Sequence, residues 1–173
     1  MEILEILKYT LPALIVFLTA YLSIQSFIKS EQERRKHEIK MMNEKMITPI
    51  RLQAYERLVL FLERISPDSL IMRTNEPRMI SSRLQSAMLT TIRAEFEHNL
   101  SQQLYVTNQA WEVVKSAKTN VIKIINMAAD YVKPDSPSIE LSKVILESIM
   151  EISKTPGMVA IEFLKKEVEV YLS

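Results

Sequence analysis

Residues Thr107–Val132, TNQAWEVVKSAKTNVIKIINMAADYV, decide the fold class. Ala110, Trp111, Val114, Ala117, Val121, Ile122, Ile125, Ala128, Ala129 and Val132 recur three and four positions apart, and Glu112, Lys115, Lys123 and Asp130 fall on the other side. That period belongs to an amphipathic helix that buries one face, with Trp111 as a core anchor.

Toward the C-terminus the pattern is broken and resumed twice. Lys133-Pro134-Asp135-Ser136-Pro137-Ser138 interrupts the chain, and a further helix follows with Leu141, Ile145, Ser148, Ile149 and Ile152 inward. After Thr155-Pro156-Gly157 a last helix carries Ile161, Leu164, Val168 and Tyr171 on one stripe. Toward the N-terminus, a helix is expected from about Arg78 to near Ser101, after a loop containing Asn75-Glu76-Pro77. Its apolar residues Leu84, Met88, Ile92, Phe96, Leu100 and Leu104 recur every fourth position. Because a helix turns every ~3.6 residues, such a stripe drifts round the axis, which suits either a central helix or a break near Ser101. Asn99 and Gln103 share that sector and are expected as buried hydrogen-bonding groups that fix register, with ligand binding as the alternative.

The first domain helix is expected over Pro49–Ile65, with Thr48 as its cap, Pro49 at its first position and Ser66-Pro67-Asp68 as its end; whether it bends off the preceding stretch at Pro49 or kinks there within one long helix is left open. Ile47, Ala54, Leu58, Phe61, Leu62 and Ile65 form its core stripe. Arg51 lies within that stripe, as a structural ion pair, a snorkelling side chain or a partner contact. Leu52, Val59 and Leu60 point elsewhere; with Arg51 they are the candidate partner-binding residues, since grouped apolar side chains outside a core mark an interface.

Ahead of this domain, Tyr9–Ile28 reads YTLPALIVFLTAYLSIQSFI, without a charge between Lys8 and Lys29. About 20 such residues cross a bilayer core. A cleaved signal peptide would want a basic start and a small-residue cleavage site, whereas Glu2 and Glu5 open this chain. A buried core helix is the other reading, since Gln25 and the serines weaken the span. Lys29, Arg34, Arg35, Lys36, Lys40 and Lys45 follow the span and only Lys8 precedes it, which places the following domain in the cytoplasm. Lys29, Arg34, Arg35 and Lys36 are candidate contacts to anionic lipid, although interleaved Glu31, Glu33, Glu38 and Glu44 favour an orientation signal on a solvated charged helix.

The expected architecture is therefore all-α. It comprises a periplasmic N-terminus over residues 1–8, a transmembrane helix over 9–28, a charged juxtamembrane stalk over 29–46 and a cytoplasmic bundle of about five helices over 47–173. A single glycine in 173 residues leaves no material for phosphate-cradling or dinucleotide loops. Without cysteine there are no disulfides, thiolate metal sites or thiol nucleophiles. Twenty-two basic against 21 acidic residues give a net charge of +1, which does not favour nucleic acid. Glu95-x-x-His98 matches half of a di-metal carboxylate motif, but its second copy is missing. No catalytic, cofactor-binding or metal-ligating residue is assigned, and no cofactor is expected.

Two segments carry a family resemblance: Arg51-Leu52-Gln53-Ala54-Tyr55-Glu56-Arg57, continuing to Phe61-Leu62-Glu63-Arg64-Ile65, and Glu95-Phe96-Glu97-His98-Asn99-Leu100-Ser101-Gln102-Gln103-Leu104-Tyr105. Over them the chain resembles an uncharacterised family of small single-span proteins from Bacteroidetes, a resemblance that extends over essentially the whole chain. It implies a bacterial inner-membrane setting and brings no activity with it. The expected function is a non-enzymatic membrane adaptor or accessory subunit. Its partners would be the lipid bilayer and a membrane or cytoplasmic protein, with self-association compatible and nucleic acid not expected. A stalk-like subunit of a larger membrane machine is the alternative, and a membrane-bound hydrolase or metal-binding helical protein a third. A reporter active only in the periplasm, fused after Ser173, should be silent; an active fusion would reverse the orientation.

Overall fold

A computed structural model describes the backbone of residues 2–172 and the side chains of residues 14–170. Its regular elements are helical: α1 (Glu2–Arg64), α2 (Pro67–Thr74), α3 (Ser81–His98), a 3-10 segment (Leu100–Leu104), α4 (Asn108–Asp130), α5 (Ser138–Met150) and α6 (Pro156–Leu172). The chain divides into two compact units, residues 1–47 and 48–173, which are described separately.

The first unit consists of α1 as far as Ile47. Among the described residues no helix is long and apolar enough to cross a membrane. Residues 9–13 of the expected span, including the Tyr9 and Pro12 side chains, lie outside the described side chains. Within the rest of that stretch the polar side chains find partners in their own helix. Thr19 Oγ1 donates toward the Ile15 and Val16 carbonyls at 3.0 and 2.9 Å, and Gln25 Nε2 donates to the Tyr21 hydroxyl at 2.8 Å. In the charged stretch Glu31 pairs with Arg35 at 3.1 Å and Arg34 at 3.4 Å, Arg34 also approaches Glu38, and Lys40 approaches Glu44. Such exposed i, i+3 and i, i+4 pairs contribute about 0.3–0.5 kcal/mol each. Two of the four candidate lipid contacts, Arg34 and Arg35, are thus engaged along the helix.

The second unit is built round α4, whose Ala110, Trp111, Val114, Ala117, Val121, Ile125 and Ala128 are all buried, on the face the sequence pattern selects. α4 packs against α3, α5 and α6. From α1 the core receives Ala54, Tyr55, Leu58, Phe61 and Leu62, and from the turn after it Ile65. Phe61, Phe96 and Trp111 form an aromatic relay, with centroids 5.8 and 5.5 Å apart, and Lys118 Nζ sits 3.7 Å over the Phe96 ring. Burial, then the nearby Lys115 charge, holds the Lys118 ammonium below its ordinary pKa.

Four expectations are corrected. Pro49 does not open a helix but lies inside α1. A proline removes one donor, the bond to the Lys45 carbonyl, and at exposed positions water can take that carbonyl. Ile47, assigned to the core stripe, is 51% exposed. The stretch after Ile65 is not all loop: α2 occupies eight residues, with Pro67 in its first turn, Asp68 at its positive end and Leu70 buried. Ser66-Pro67-Asp68 therefore ends one helix and starts the next.

The fourth correction concerns the drifting stripe of α3. Leu84, Met88 and Ile92 are fully buried, but Leu104 is 77% exposed. The helix ends at His98, and the 3-10 segment carries the later positions away from the core. Asn99 and Gln103 are consequently not a buried polar pair. Gln103 is exposed, and half-buried Asn99 donates from Nδ2 to the Glu95 carbonyl at 2.8 Å, closing the last turn of α3. At the opposite end of α3, Ser81 N donates to the Ser136 carbonyl at 2.8 Å and Ser138 N to the Met79 carbonyl at 2.9 Å. These bonds fasten the loop before α3 to the loop before α5.

Glu95 joins three helices. Its carboxylate accepts from Arg73 Nη2 of α2 at 2.8 Å and Arg64 Nη1 of α1 at 3.2 Å, with the Glu95 side chain only 13% exposed. Burial alone would raise the Glu95 carboxyl. Hydrogen bonds from Arg73 and then Arg64, together with their charges, outweigh burial and hold it below the ordinary carboxylate range. A depressed folded pKa contributes stability above the ordinary value, which is lost as pH falls through the folded pKa. Denaturant midpoints should therefore fall on acidification below about pH 4.5. Glu95→Gln should be less stable near neutrality by about 1–3 kcal/mol, as for loss of hydrogen bonds to a charged group, and show a smaller acid dependence.

Candidate docking groove

α1 buries one face and keeps apolar side chains beside it. Leu52 and Val59 are half-buried, with Val59 packed against the core, and Leu60 is 53% exposed. α6 runs alongside, with Leu164 fully buried and Val168 partly packed on the core. Between them lies a groove of about 510 Å³ lined by Leu52, Tyr55, Val59, Leu60, Leu164 and Val168, with Glu56, Glu63, Lys165 and Glu169 at its edges.

One carboxylate fixes the two walls. Glu167 of α6 accepts from the Tyr55 hydroxyl at 2.8 Å and from Thr107 Oγ1, which stands 2.7 and 3.0 Å from its two oxygens. Thr107 is also the N-cap of α4, where its Oγ1 accepts from Ala110 N at 3.0 Å. A chain of hydrogen bonds thus runs from the first turn of α4 through Thr107 and Glu167 to Tyr55, and each bond polarises the next. The groove is shaped by this clamp before any occupant arrives.

Three of the four candidate partner-binding residues, Leu52, Val59 and Leu60, are brought together here. The fourth, Arg51, is not part of the groove lining; half-buried, it donates from Nε to the Tyr105 carbonyl at 3.2 Å. Sequence reasoning missed the second wall and the clamp. Tyr55 was findable, since it stands three and seven residues from Leu58 and Leu62 on the buried face. Nothing in the sequence couples it to Glu167, 112 residues away.

A second cavity, about 330 Å³, is lined by Arg57, Leu60, Phe61, Arg64, Glu95, His98 and Asn99. The half-motif Glu95-x-x-His98 is found here, with the Glu95 carboxylate turned to Arg64 and Arg73. No group of three or more His, Asp or Glu side chains that could hold a metal ion occurs among the described residues.

The model of DUF7935, a family of unknown function, matches residues 1–171. The chain belongs to that family. No curated protein and no solved structure matches it.

Within this member of DUF7935, the groove residues divide by burial, and that division is measurable. Leu60→Ser should change unfolding free energy by less than about 0.5 kcal/mol, as surface substitutions do. Val59→Ser, which strips packed apolar area, should cost about 1 kcal/mol. Leu58→Ala, in the core beneath, should cost about 2–5 kcal/mol. Denaturant titration of the three variants orders them.

Proposed function

We propose that the protein is a membrane-anchored, non-enzymatic adaptor or accessory subunit that presents a helical interaction domain at the cytoplasmic face of a bacterial inner membrane. The observation that carries the reading is the apolar groove between α1 and α6. Leu60 is left 53% exposed there beside half-buried Leu52 and Val59, although the same helix buries five neighbouring side chains almost completely. A preformed apolar concavity with few polar groups is the kind of surface that receives another chain. The anchor is supported by the charge-free run Tyr9–Ile28 and by the intrahelical partners of Thr19 and Gln25. The orientation is supported by the basic residues from Lys29 onward. In this reading Lys29 and Lys36 face the lipid surface, while Arg34 and Arg35 serve mainly the stalk.

A stalk-like subunit of a larger membrane machine is the second reading. It is favoured by one observation, the run of i, i+3 and i, i+4 ion pairs between Glu31 and Glu44 along the helix of the first unit.

A photo-activatable amino acid placed at Leu60 tests the adaptor reading in living cells. Irradiation should give a discrete adduct that stays with carbonate-washed membranes, whereas the same group at exposed Lys143 on α5 should give none. Equal labelling at both positions, or no adduct at Leu60 in a well-expressed protein, would count against docking.

A further inference from the structure

Four charged residues edge the groove, and their balance selects what can lie in it. Glu56 and Glu63 stand seven residues apart on α1, two turns along one side, while Lys165 and Glu169 stand one turn apart on α6. None of the four belongs to an ion pair among the described residues. Elsewhere in this unit Glu95 is paired with two arginines, and Glu162 of α6 with Lys154 at 2.7 Å. Three unpaired carboxylates and one ammonium therefore border an apolar floor.

We infer that the groove receives an amphipathic helix of another protein, with an apolar stripe for the floor and lysines or arginines along its flanks. This deepens the docking proposed above and rests on it. A helix suits the site because the cleft lies between two helices and its α1 wall, from Leu52 to Glu63, is about 16 Å long, some three turns of an incoming helix. Basic flanks suit it because complementary charge steers encounter and excludes partners of the same sign. A second copy using its own groove would bring two net-negative rims together across a two-fold axis, which disfavours that occupant. An anionic lipid surface is repelled for the same reason.

The test uses the full chain in nanodiscs of zwitterionic lipid. The probes are two fluorescein-labelled helical peptides of about 18 residues that share one leucine stripe and carry either lysine or glutamate flanks. Fluorescence anisotropy should show the lysine peptide binding about tenfold more tightly, with the advantage shrinking as salt shortens the screening length. Glu56→Lys/Glu63→Lys should reverse the preference, and Leu60→Asn should weaken both peptides while leaving the order intact. Circular dichroism melting of each variant shows whether it is folded. Equal binding, preference for the glutamate peptide, or concentration-dependent dimerisation that Leu60→Asn abolishes would overturn the inference. Failure of the two readings is distinguishable. An adduct at Leu60 in cells together with glutamate-peptide preference removes the basic helix but keeps docking. Absence of the adduct removes docking whichever peptide binds.

Discussion

The Glu167 carboxylate is the contact on which the described site depends. It joins the N-cap of α4, the buried tyrosine of α1 and the fourth turn of α6, three places far apart in sequence. Loss of its side chain would remove the hydrogen bonds that tie Tyr55 and Thr107 to α6. Apolar packing could hold those helices near one another, since Ala160 and Leu164 are buried against the common core. Packing is permissive about rotation and sliding, whereas a bonded hydroxyl and carboxylate admit one register. The groove walls thus stand at a separation set by a polar contact and not by hydrophobic contact alone.

That clamp gives meaning to the excess of apolar residues on α1. A helix at the edge of a bundle needs one apolar stripe. α1 carries a complete stripe and then Leu52, Val59 and Leu60 beside it, and α6 covers only part of the addition. Tyr55 closes the floor with its ring and satisfies its hydroxyl beyond it, so the groove is apolar without an orphaned polar group beneath. No buried side-chain nitrogen or oxygen among the described residues lacks a hydrogen-bond partner. A surface so free of internal polar demand loses little when water is replaced by another apolar chain.

How far the sequence could be read depended on whether a feature was local or long-range. α4 was legible because 23 residues of one period leave no competing interpretation, and the breaks at Pro134–Pro137 and Thr155–Gly157 follow from proline and turn chemistry. α2 was not legible, since eight residues with one fully buried leucine are too short for a period to emerge. Asn99 and Gln103 were misplaced because their position assumed that α3 continued in register; a change to 3-10 geometry rotates everything after it. Leu52, Val59 and Leu60 were recognised as surplus, and that local inference located one wall. The other wall, the Glu167 clamp and the Arg64–Glu95–Arg73 junction are contacts between distant segments, for which one sequence contains no direct signal.

The groove and the smaller cavity also show why charge must be weighed with its partners. The smaller one gathers Arg57, Arg64, Glu95 and His98, the residues that first draw attention as chemistry. Its carboxylate is committed to α1 and α2, so an incoming cation would have to displace two guanidinium groups, and an incoming anion would meet Glu95. The groove between α1 and α6 has the opposite character. Its interior is apolar, the Tyr55 hydroxyl beneath it is bonded to Glu167, and Glu56, Glu63, Lys165 and Glu169 along it belong to no ion pair among the described residues. The smaller cavity thus borders a junction of three helices, whereas the groove leaves apolar side chains uncovered.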